Sequence, residues 1–108
     1  MDIKTLSLPR LNQLNPTLES TTLKLMEETG ELAQVIGKYR GLSGENIVMD
    51  EETVIREIAR ELLDVAQTAV TMMFVMEEYY GVNIDVMLQE HCEKLKRKGY
   101  LSITGHDE

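Results

Sequence analysis

The sequence predicts an all-α protein, an antiparallel helical bundle completed by homodimerisation. Three observations carry that reading. The 108 residues include only two prolines, and Leu, Met, Glu and Ala are frequent, a composition that favours helix. Apolar residues recur at spacings of three and four, the helical period. The most apolar stretch, 62–76, covers more of a helix's circumference than one neighbouring helix can hide.

Residues 1–15 read as irregular, or as a short helix interrupted by Pro9. The first long helix is predicted over about 16–39, with Asn15 as N-cap and Pro16 at the first helical position. Leu18, Thr22, Leu25, Thr29, Leu32, Ile36 and Tyr39 form its seam. "RGLSGENIVMD" is a loop holding Gly41 and Gly44. Asp50 caps the second helix, and Glu51 and Glu52 suit its positive end. That helix runs over about 51–80 until Gly81 stops it. A third helix follows over about 84–98, with a seam of Ile84, Leu88, His91 and Leu95, and 100–108 form a tail. The chain reads as a single domain, 1–108, without repeats or linkers. Short loops between helices make antiparallel neighbours. The broad apolar face of the second helix, including Leu62, Leu63, Met72, Met73 and Met76, then calls for a second copy of the chain.

A net charge of −8 argues against nucleic acid and against an anionic membrane surface as partner. An acidic protein can still bind phosphates through a metal, which cancels the repulsion. The 62–76 stretch is too short to span a bilayer and is interrupted by Asp64, Gln67, Thr68 and Thr71. A lone Cys92 allows no internal disulfide, and no basic-then-apolar leader opens the chain, so a cytoplasmic location is expected.

The chemistry lies in the acids. With the centre of the first seam set at zero and each residue advancing about 100°, Glu28 falls roughly 70° off centre. Glu31 falls roughly 130° off on the same side, and Glu27 nearly opposite. Glu28 and Glu31 therefore pair on the rim of the buried face, while Glu27 reads as a solvent charge. On the second helix Glu57, Glu61 and Asp64 make one stripe along the apolar edge, continued by Thr68 and Thr71. Arg56 and Arg60 are expected to point elsewhere. Like charges at such spacings destabilise a helix, and partial burial raises the cost unless a cation compensates. Rims that face each other bring four or five carboxylates together. An oxygen-rich site without His or Cys suits Mg²⁺, with Mn²⁺ as the variant.

Elsewhere the plain structural readings are the stronger ones. His91 reads as a core or interface histidine, Cys92 as a small buried hydrophobe, and the methionines as core or interface filler. Lys24 reads as an i, i+4 partner of Glu28, with a phosphate contact as the additional possibility. Lys94, Lys96, Arg97 and Lys98 sit where a helix dipole favours cations, and Lys94 and Arg97, one turn apart, could also clamp phosphates.

"EETGELAQVI" followed by "ELLDVAQTAV" resembles the paired E-x-x-E and E-x-x-D motifs of the MazG-like, all-α nucleoside triphosphate pyrophosphohydrolases. The match is Glu28 and Glu31 with Glu61 and Asp64. "EKLKRKGYL" is similar to the basic close of that family's last core helix, with Lys94 and Arg97 in the matching places. The resemblance covers about 16–101 and lies with the short single-domain branch. It implies dimers or dimers of dimers, a Mg²⁺ site formed by the four motif acids, and cleavage of a nucleoside triphosphate to the monophosphate and pyrophosphate. Such enzymes often clear non-standard or excess nucleotides. Glu57 is a fifth candidate ligand, one turn before Glu61.

The alternative is a non-catalytic helical oligomer that binds a nucleotide or a basic partner in its acidic groove. A ferritin-like di-iron protein ranks last, because that class uses E-x-x-H pairs and neither His91 nor His106 follows a Glu at that spacing.

Overall fold

Three helices carry the chain in a computed structural model that describes residues 1–41 and 50–102: α1 (Leu18–Tyr39), α2 (Glu51–Tyr80) and α3 (Ile84–Arg97). No strand occurs among the described residues. The Gly44 half of the expected loop and most of the expected tail lie outside them.

The helix ends follow local chemistry. α1 begins later than Asn15 and Pro16 suggest, because Thr17 and Ser20 form a reciprocal capping box. The Ser20 amide donates to the Thr17 hydroxyl at 3.0 Å, and the Thr17 amide donates to Ser20 Oγ at 2.8 Å. Two otherwise orphaned amides are satisfied this way, leaving Pro16 just outside the helix. Asp50 caps α2 by accepting from the Thr53 amide at 3.3 Å, and Asn83 caps α3 by accepting from the Val86 amide at 3.1 Å. Gly81 closes α2 with φ 67°, a left-handed conformation that costs glycine little.

α1 and α2 pack antiparallel. At one end the Tyr39 hydroxyl donates to Glu51 Oε1 at 2.9 Å. At the other, Pro16–Leu18 lie beside Val75, Tyr79 and Tyr80. The buried line of α2 contains Val54, Thr68 and Val75, with half-buried Glu61 in the same heptad series. Facing it, α1 buries Thr21 and Glu28, also a heptad apart. This face is rotated from the expected seam. Thr22 and Thr29 are exposed, and Glu28 is a seam residue rather than a rim residue. A Glu can occupy such a position because its methylenes pack while its carboxylate seeks a partner.

α3 packs closely on neither α1 nor α2. The middle of its seam consequently faces outward, while Ile84 and Leu95 are half-buried. Leu88 is exposed, and so are His91 and Cys92, which corrects the expectation of a buried cysteine. The radius of gyration is 17.5 Å, against about 13 Å for a compact chain of this length.

The N-terminal segment is irregular, as one of the two sequence readings has it, and crosses α2 as a strap. The Pro9 carbonyl accepts from Gln67 Nε2 at 3.0 Å. Arg10 pairs with Glu78 and lies 5.1 Å from the centre of the Phe74 ring. Among the described residues no helix is long and apolar enough to cross a membrane.

Candidate metal centre

Antiparallel packing puts Glu28 of α1 opposite Glu61 of α2, midway along the seam. Glu28, Glu31 and Glu61 each offer a carboxylate oxygen, and these oxygens lie within 4.8 Å of one another. Glu28 is only 6% exposed. Its Oε1 accepts from Lys24 Nζ at 3.0 Å. Its Oε2 is buried without a hydrogen-bond partner, and so is Glu61 Oε2. Two buried, unpartnered carboxylate oxygens in one acidic cluster are costly for a protein alone.

Burial, and then the negative charges of Glu31, Asp64, Glu57 and Glu28, raise the Glu61 carboxyl above its ordinary value of 4.5. Lys24 is pushed the other way in charge: the Glu28 hydrogen bond, then the Glu27 and Glu28 charges, hold its ammonium above 10.5. Lys24 also reaches Glu27 at 3.6 Å, and both of these side chains are largely exposed. One lysine therefore offsets part of the cluster, and the two orphaned oxygens are left for a further cation. The all-oxygen donor set fits a hard divalent ion such as Mg²⁺.

The other expected residues are distributed unevenly. Asp64 is exposed one turn beyond Glu61, on the wall of an adjoining cavity that also touches Lys24 and Glu28. Glu57 is held by Arg60 at 3.3 Å, while Arg56 pairs with Glu52 at 3.1 Å. The expectation that Arg60 points away from the acidic stripe is thus corrected. Residues three apart on a helix are neighbours, and a long guanidinium spans the offset. Lys94 and Arg97 stand on α3, outside the α1–α2 seam, and Arg97 lines a groove made by α3 alone.

Residues 16–99 match the MazG nucleotide pyrophosphohydrolase domain. The chain belongs to the MazG family. Comparison with curated proteins and with solved structures gave no match. The MazG match begins at Pro16, so the strap that carries Pro9, Arg10, Leu11 and Leu14 precedes it.

The strap and its anchors, Gln67 and Glu78, were missed by sequence reasoning, since irregular chain has no periodicity to read. The half-burial of Glu61 had a signal in the heptad series Val54, Glu61, Thr68, Val75.

Proposed function

We propose that this MazG protein is a divalent-metal-dependent nucleotide pyrophosphohydrolase, cleaving a nucleoside triphosphate to the monophosphate and pyrophosphate. One observation carries the reading: Glu28 Oε2 and Glu61 Oε2 are buried, unpartnered and gathered with Glu31. Glu28, Glu31 and Glu61 would hold Mg²⁺ or Mn²⁺, with Asp64 completing the set. The ion would supply charge neutralisation of the triphosphate and acidification of a water.

The chain's own residues do the rest. Glu28 is fixed by Lys24, which orients its second oxygen into the cluster. Asp64 is exposed beside the cavity, on the side of the set that a substrate would approach. Glu57 is engaged by Arg60 and serves as a spare acid. Lys94 and Arg97 bind substrate phosphates, brought to the site by a second copy of the chain.

That second copy is supported by the exposed apolar residues. Leu62 and Leu63 on α2 are 55% and 51% exposed, and Val86, Met87 and Leu88 project from α3. A homodimer or a dimer of dimers would cover them. The free Cys92 thiol fits a cytoplasmic protein.

The test is pyrophosphate release from a panel of standard and modified nucleoside triphosphates with Mg²⁺. Release that Glu61→Gln abolishes, with helicity intact, supports the assignment. An active Glu61→Gln enzyme refutes the site, and silence across the whole panel favours a binding module.

A further inference from the structure

A cavity of about 420 Å³ opens directly beside the acidic cluster. That volume lies within the range of small-molecule sites. Glu28 and Asp64 form its acidic end. The opposite wall is the strap, through Leu11, Leu14 and Pro16. The floor is the helical seam, where Thr21, Thr68 and Thr71 are buried.

The polar atoms of this floor are largely committed inside the protein. The Thr21 hydroxyl donates to the Thr17 carbonyl at 2.7 Å, and the Thr68 hydroxyl donates to the Asp64 carbonyl at 2.9 Å. Gln67 Nε2 donates both to the Pro9 carbonyl at 3.0 Å and to Thr71 Oγ1 at 3.3 Å. Asn15, Ser20 and Lys24 complete the lining, so the cavity offers a largely apolar wall beside a polar, charged end. A molecule that suits it has a polyanionic part, placed at the cluster through a cation, and a flat, largely apolar part.

We propose that the strap residues Leu11 and Leu14 build the nucleoside pocket of this enzyme and set its selectivity by size. The proposal rests on the pyrophosphohydrolase reading and deepens it. Both residues precede the stretch 16–99 that matches the MazG domain. Gln67 is a positioning residue that latches the strap through Pro9, while Arg10 clips it to Glu78. Because apolar walls discriminate by volume, residue 14 controls which bases enter.

The experiment uses the full chain with Leu14→Trp, Leu14→Ala and Gln67→Leu. Leu14 is 63% exposed, so its replacement leaves the fold intact. KM and kcat are measured with the four deoxynucleoside triphosphates and Mg²⁺. Inorganic tripolyphosphate serves as a competitor that has no base. Leu14→Trp is expected to raise KM by roughly tenfold or more, with purines affected more than pyrimidines. Leu14→Ala shifts that preference the opposite way, and Gln67→Leu raises KM for all four. Inhibition by tripolyphosphate stays as in the wild type for every variant, which separates the pocket from the metal centre. An unchanged KM in Leu14→Trp, or tripolyphosphate inhibition that weakens in parallel, overturns the proposal. If the wild type turns over none of the four, the hydrolase reading fails there, and calorimetric binding of the same nucleotides with Mg²⁺ decides the pocket. Weaker binding by Leu14→Trp then sustains it, and equal binding or none overturns it.

Discussion

Removing one charge from the cluster should have opposite effects with and without metal. The perturbation is Glu61→Gln, which keeps the shape and deletes the carboxylate. Among Glu28, Glu31 and Glu61 there are three pairwise repulsions, and the substitution removes the two that involve Glu61. Without metal, the variant should be at least as stable as the wild type, because an amide tolerates burial better than a carboxylate. With metal the order reverses. An ion that binds only the folded state stabilises it by about 2.7 kcal/mol at about 100 times its Kd. For a domain of this size each kcal/mol moves Tm by roughly 4–8 °C, so the wild type should gain on the order of 10 °C or more. The variant, having lost the orphaned Glu61 Oε2 and its charge, should gain far less. Differential scanning calorimetry of both proteins across a Mg²⁺ and Mn²⁺ titration measures this directly. A wild-type Tm indifferent to both ions, or equal shifts in the two proteins, would refute the reasoning.

The raised Glu61 carboxyl also sets a pH dependence. Its folded value lies above 4.5, so protonated Glu61 favours the fold, and its stabilising contribution is lost as pH rises from 4.5 through the raised value. Metal-free wild type should show that loss in urea melts across the acid range, and Glu61→Gln should not. Gly81→Ala places a side chain at φ 67° with nothing within 4 Å of the new Cβ, so the cost is conformational only, about 1–2 kcal/mol by chemical denaturation. Leu62→Glu with Leu63→Glu puts charge on the exposed face of α2 and should turn an oligomer into a monomer by light scattering. An unaltered mass would place the subunit contact elsewhere.

Much of the fold was legible because helices announce themselves locally. Asp50, Gly81 and Asn83 mark helix ends through side-chain oxygens or backbone freedom that act within a few residues. The Thr17–Ser20 box was equally local, but Asn15-Pro16 offered a competing start, and only the realised hydrogen bonds decide between them. Glu28, Glu31 and Glu61 could be singled out as neighbours of apolar seams, since the helical period alone fixes their angular positions.

The amino-acid sequence by itself determined three helices, the Asp50 cap, the Gly81 stop and two acidic motifs, all set by residues a few positions apart. Only the tertiary structure decided that Glu28 and Glu61 meet inside the α1–α2 seam, because the rotation of one helix against another depends on the partner's shape. It likewise decided that the strap crosses α2 and that α3 stands off with Leu88 and Cys92 exposed. Irregular chain is held by distant partners such as Gln67 and Glu78, and no local spacing encodes where those partners will lie.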